Sequence, residues 1–188
     1  MKKRVEFRDW METVDVENLV FLDEAAAHTA MARTHCWVKK GTFAVDRRPC
    51  VHWHMLTMVG AVTVSGWLTF TTSWQTMNKE RFTEWVRTKL APRLHHGQIV
   101  ILDNLRAHHA CRVRELIEAR GAELKFLPPY SPDYNPIESC WALLKKELRR
   151  CAVRAKDALR RNARRARFRV KPAHVHAFAA YSGYVSVR

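Results

Sequence analysis

Two stretches of unbroken hydrophobicity, Leu19–Leu22 and Ile99–Leu102, each run straight into an aspartate, Asp23 and Asp103. Four apolar residues without polar alternation fit a strand buried on both faces. Residues 51–58 and 61–71 are rich in β-branched and aromatic side chains, and Ser65-Gly66 within the second stretch reads as a hairpin turn. Two antiparallel strands are therefore expected beside the first. Asn78 opens a segment in which Phe82, Trp85, Val86 and Leu90 recur at helical spacing, closed by Pro92 and Gly97. Ala110, Val113, Leu116 and Ile117 predict a second amphipathic helix, stopped by Gly121, and Leu124–Leu127 a further short strand. Pro128, Pro129, Pro132 and Pro136 then stiffen the chain into an extended connection. A helix from about Pro136 to about Arg150 follows. The order of elements predicts an α/β domain with a mixed sheet.

With 188 residues the chain is long enough for one domain with a real core. Its organisation reads as a lead-in over 1–16, a central domain over 17–150 and a basic helical segment over 151–188. No apolar run reaches the length of a membrane span, and no signal-peptide core follows the basic start, so a cytoplasmic protein with no membrane partner is expected. Five cysteines at irregular spacing give neither a disulfide framework nor a zinc motif. The ten histidines, too, lack zinc-motif spacing with a cysteine pair.

The formal net charge of +15 points to a polyanionic partner, of which nucleic acid is the usual one. The charge is concentrated: residues 145–171 hold thirteen Lys or Arg against two acids, Glu147 and Asp157. Ala152, Val153, Ala155, Ala158, Leu159 and Ala163 provide an apolar stripe for an amphipathic helix there. Phosphate contact by its basic face is expected over simple solvation.

Asp23 and Asp103 would emerge at the same edge of the sheet if their strands are parallel neighbours, the edge where α/β proteins carry their sites. Each alone reads equally as a turn residue. Glu138 sits at the third position after Asn135 and Pro136, the spacing of a capping box. A cap also fixes the direction of a carboxylate, which a catalytic ligand requires. Carboxylates ~4 Å apart repel by ~4 kcal/mol at an effective dielectric near 20, so either a proton or a cation must sit between them. Hard oxygen donors suit Mg²⁺ or Mn²⁺, and a pair of such ions serves phosphodiester cleavage.

The runs Phe21-Leu22-Asp23-Glu24, Leu102-Asp103-Asn104 with His108, and Leu127 to Glu138 with Trp141 resemble the DDE transposases of bacterial insertion sequences related to mariner elements. Thirty-four residues separate Asp103 from Glu138, a spacing typical of that group. The resemblance covers about Glu17 to Arg150 and returns at Phe178–Tyr184. It implies an RNase H-like five-stranded mixed sheet flanked by helices, with Asp23, Asp103 and Glu138 as catalytic metal ligands for two Mg²⁺ or Mn²⁺ ions. It implies hydrolysis at transposon ends followed by attack of the freed 3′-hydroxyl on target DNA. Asn104, His108, Lys145, Lys146, Arg149 and Arg150 are the expected DNA contacts. The sequence departs from the family in carrying Ala25-Ala26 where a Ser-Gly pair is common, and no helix-turn-helix fits in Met1–Glu17. End recognition is therefore expected from a helix-turn-helix partner polypeptide or a missing N-terminal domain, with the enzyme acting as a homodimer on DNA. The competing readings are a catalytically inactive DNA-binding remnant and a nuclease of the same fold acting on RNA–DNA hybrids.

Overall fold

The computed structural model describes residues 2–45, 53–103 and 110–184. Five strands form one mixed sheet: β1 (Leu19–His28), β2 (Met55–Thr63), β3 (Gly66–Ser73), β4 (Ile99–Leu102) and β5 (Glu123–Phe126), in the order β3-β2-β1-β4-β5. The β1–β2 and β2–β3 pairs are antiparallel, and β1–β4 and β4–β5 are parallel. This is the RNase H-like arrangement expected from the sequence.

The strand pattern is right in kind and shifted in extent. β1 does not stop at Leu22 but runs ten residues, so Asp23 lies within the strand rather than beyond it. Its first residues pair with β4 only as far as Phe21, while β2 supports it from Phe21 to His28. The hairpin turns at Val64-Ser65, which assigns residues 61–63 to β2. Gly66 follows at φ +114°, where a side chain would be strained.

Helices cover both faces. On one side, α2 (Lys79–Trp85) is capped by the Asn78 side chain, which accepts from the Arg81 amide at 3.0 Å, and it continues as a π-helical turn through Leu90. With α3 (Ala110–Glu118) it buries Val20, Leu22 and Val100. On the other side lie α1 (Lys2–Met11), α4 (Pro136–Cys151), α5 (Lys156–Ala166) and α6 (Pro172–Tyr181). They enclose Phe21 and Ile101, with Phe7, Met11, Trp141, Leu144, Leu159 and Val175 in the same cluster. Residues 1–16 were expected to be a lead-in, with no element assigned to them. Instead Phe7 and Met11, one helical turn apart, fold α1 onto the core. Trp53, just before β2, is half-exposed. No helix among the described residues is long and apolar enough to cross a membrane.

Candidate active site

Alternation along the strands decides where the acids point. Phe21 pairs with Ile101, so the parallel register carried two residues further sets Asp23 level with Asp103. Neighbouring strands lie ~4.8 Å apart, and residues two apart share a face. Phe21 and Ile101 face the α4 side, and Asp23 and Asp103 therefore project to that side as well. There α4 begins, with Pro136 at its first position and Glu138 in its first turn. Asp23, Asp103 and Glu138 line one cavity of about 450 Å³, walled by the proline-rich run from Leu127 to Pro132.

The carboxylates register one another's charge. Burial above all, with the charges of Glu138 and Asp103, pushes Asp23 up to about 7 against the opposing hydrogen bonds from the Glu24 amide and Trp141. Glu138, although largely exposed at the helix start, is also raised, by partial desolvation and by Asp103, with Lys145 opposing. Asp23 and Glu138 thus hold protons more strongly than separate, solvated carboxylates would. Among the described residues, no three His, Cys, Asp or Glu side chains stand close enough to ligate one ion as they are. The acids face the same space without closing on it.

Several neighbours hold this geometry. Trp141, 1 % exposed and one turn after Glu138, donates its Nε1–H to Asp23 Oδ2 at 2.9 Å. Its ring lies 5.1 Å from Trp67 and 6.0 Å from Phe70, and Trp67 in turn donates to the Arg167 carbonyl at 3.0 Å. Gly60, paired with Asp23 across β1 and β2, makes room for them: a Cβ there would lie 2.5 Å from the Trp67 ring and 3.2 Å from Trp141. Arg4 of α1 bonds Ser131 Oγ at 2.7 Å and both Asp133 oxygens at 3.0 and 2.6 Å, and its guanidinium lies 4.5 Å above the Tyr134 ring. The lead-in helix thereby fixes one wall of the cavity. Tyr130 stands fully exposed at the rim with φ +55°, a conformation costing a β-carbon-bearing residue roughly 1–2 kcal/mol.

The expected capping box is not formed. Asn135 is the N-cap, but its side chain makes no cap bond, and its Oδ1 is buried without a partner. Glu138 is thus held by the helix backbone and not by reciprocal capping. Sequence reasoning missed Gly60, Arg4 and the bond from Trp141 to Asp23; only Trp141 carried a signal, by its place one turn after Glu138.

A family model described as DDE superfamily endonuclease matches residues 18–160. The chain belongs to that family. The Mos1 transposase paired-end complex with left transposon end is similar in fold, with TM-score 0.65 and 16% identity over 99% of this chain and 62% of that one. The mariner Mos1 paired end complex with Mg gives TM-score 0.68 and 15% identity over 97% and 60%. The catalytic domain of Mos1 mariner transposase gives TM-score 0.54 and 15% identity over 98% and 92%. This DDE endonuclease chain therefore spans about three-fifths of the transposase chains in those complexes and nearly all of the separate catalytic domain. No curated protein matches the sequence.

Of the expected DNA contacts, Lys145, Lys146, Arg149 and Arg150 lie on α4, and Asn104 and His108 lie outside the described residues. The basic segment after Arg150 is in part structural. Arg154 donates to the Thr29 and Met31 carbonyls at 3.0 and 2.7 Å. Arg160 packs over Trp74, and Arg167 over Phe70 and Phe168.

Proposed function

We propose that this DDE endonuclease is the catalytic part of a transposase, which cuts DNA at transposon ends and joins the freed 3′ end to target DNA through Asp23, Asp103 and Glu138. The observation that carries this reading is the convergence of these three carboxylates on one cavity, with Asp23 pushed up to about 7. The all-oxygen donor set fits a hard divalent cation, and we assign it a pair of Mg²⁺ or Mn²⁺ ions. Solved Mos1 paired-end complexes with Mg and with Mn support that choice. Because the acids do not form a closed cluster as they stand, binding would turn them toward the cavity centre, and Glu138 is the most exposed of the three.

Bound there, the cations supply Lewis acidity that lowers the cost of charge on phosphodiester oxygens. The chain does the rest. Trp141 orients Asp23, the register of β1 and β4 sets Asp103 beside it, and α4 fixes Glu138 opposite. Lys145, Lys146, Arg149 and Arg150 contact phosphates. Residues 17–150 carry all three acids, and we take them as the catalytic unit, with 151–184 closing the core behind α4. End recognition is assigned to a helix-turn-helix module, encoded with this chain or on a partner polypeptide, and the working form to a homodimer on DNA.

The test is cleavage of a labelled transposon-end duplex with Mg²⁺ or Mn²⁺ and the helix-turn-helix partner. Asp103→Asn abolishes cutting while leaving DNA binding intact. Undiminished cleavage by that variant would overturn the assignment. Salt-sensitive binding with no metal-dependent cutting by the wild-type chain would leave a DNA-binding remnant.

A further inference from the structure

Away from the acids, a second cavity of about 420 Å³ opens between the C-terminal half of α4, the chain just after β1, and the turn at Arg167–Arg169. Arg33, Lys146, Arg149, Arg150 and Arg169 line it, against the single carboxylate of Glu147. It is a built concavity: three segments distant in sequence meet there. Glu147 grips Arg150 through two bonds of 3.0 and 2.7 Å, and Arg150 and Arg169 hold its carboxyl below the usual carboxylate range. One acid thus pre-sets the Arg150 guanidinium, with the charge of Arg169 felt at the same carboxyl. Arg33 donates to the Arg150 carbonyl at 3.5 Å, and the Arg154 bonds to Thr29 and Met31 tie the same chain to the end of α4.

Helical geometry links this cleft to the acids. At 100° per residue, Glu138, Lys145 and Arg149 fall within ~20° of one line along α4. The lowering of Glu138 by Lys145 shows that the two share that face. With 1.5 Å rise per residue, the cleft lies ~17 Å along the axis from Glu138.

We infer that this cleft is a second nucleic-acid site, which grips the phosphodiester backbone of duplex DNA ~17 Å from the phosphate being cut. Guanidinium groups match phosphate oxygens bidentately, and five cations against one acid give the cavity a net positive charge that favours an anion. The contact carries no sequence information, since it reaches phosphate and not base edges. Its role is to set the register of the duplex, so that one phosphate arrives at the acids. The inference rests on the DNA-cutting reading and extends it to where the substrate backbone runs.

The experiment measures duplex binding by fluorescence anisotropy over a salt series in EDTA, for the full chain and for Arg149→Gln/Arg169→Gln. The double variant loses about 1.8 from the slope of log K against log salt, ~0.9 per phosphate contact removed. With the helix-turn-helix partner present to fix the transposon end, neutral methylphosphonate linkages placed singly along the duplex weaken wild-type binding most at one position ~17 Å from the cut phosphate. They have no such maximum in the double variant. Arg33→Gln, on a different segment, reduces the slope in the same direction, and it decides the matter if the double variant fails to fold. An unchanged slope in folded variants, or a methylphosphonate maximum that survives them, overturns the inference. Binding in EDTA is read without cutting. A chain that shows these slopes but never cleaves keeps the cleft and loses the nuclease reading, and one that cleaves with unaltered slopes does the reverse.

Discussion

The two ends of α4 solve opposite electrostatic problems. At its start, Asp23, Asp103 and Glu138 share a partly desolvated cavity, where Glu138 and Asp103 make Asp23 costlier to ionise and Asp103 does the same to Glu138. At its end, Arg33, Lys146, Arg149, Arg150 and Arg169 surround Glu147 on open surface, where water and one counter-charge keep the cations at ease. The acid end is built against its own stability and awaits a cation. The basic end is stable as it stands and awaits only an anion. One rigid helix spaces them, so the sign of charge along α4 gives a polyanion a direction.

That contrast predicts which property each substitution moves. The largest effect falls on cutting: Asp23→Asn or Asp103→Asn lowers the cleavage rate by on the order of 10³-fold, since the metal site supplies several kcal/mol of charge stabilisation and ~1.4 kcal/mol is tenfold. The salt slope of DNA binding stays unchanged in both. Equal loss from Arg149→Gln would erase the distinction between the two ends.

The same Asp23→Asn change stabilises the metal-free protein. Asp23 in the folded chain holds its proton up to about 7, far above the ordinary aspartate value of 3.8. Between those limits the folded state binds a proton that the unfolded state has released, so stability falls as pH rises from about 4 to 7. The cost above pH 7 is at most about 4 kcal/mol, at 1.36 kcal/mol per unit. Asp23→Asn removes most of this slope and raises the melting temperature in EDTA at pH 8. Divalent cation then stabilises the wild type more than the variant. A melting temperature lowered by Asp23→Asn would show that the carboxylate is not strained.

Gly60→Ala probes the support under Asp23. Its new methyl meets the Trp67 ring at 2.5 Å, and overpacking of this kind costs ~1–3 kcal/mol. Calorimetry reads it, and cutting falls with it because Trp141 is displaced. Trp141→Phe keeps an aromatic ring but removes the donor to Asp23 Oδ2. The carboxyl then rises further, and the upper limit of the pH-dependent stability window moves above pH 7. The smallest effect belongs to Arg4→Gln. Its ion pair with Asp133 is solvent-exposed, so the melting temperature barely moves, while cleavage registers any loosening of the proline-rich wall.

Much of the fold was legible because buried strands and amphipathic helices leave periodic marks. Leu19–Leu22 and Ile99–Leu102 read as double-faced strands, and Asn78 as a cap that the structure shows bonded to Arg81. Element ends were less legible. β1 continues past Asp23 because β2, not β4, supports its second half, and Leu19–His28 gives no local sign of which neighbour persists. The helix within the lead-in left no mark in the sequence, because Phe7 and Met11 are scattered among charges and acquire a partner only when Tyr134 and the core arrive. The closing run reads as a motif without a role until the fold returns Tyr184 to Phe21, 4.9 Å away, with its hydroxyl donating to the Tyr134 carbonyl at 2.8 Å.

By itself, the sequence determined the class of fold, the three acids and the place where positive charge accumulates, because composition and spacing are local properties. Only the tertiary structure decided that Asp23 stands level with Asp103, that Trp141 and Gly60 serve Asp23, and that Arg33 and Arg169 complete a cleft begun on α4. Those facts depend on strand register and on which helix face meets which strand. Both are set when distant segments bury their apolar sides together, and neither is written in any single segment.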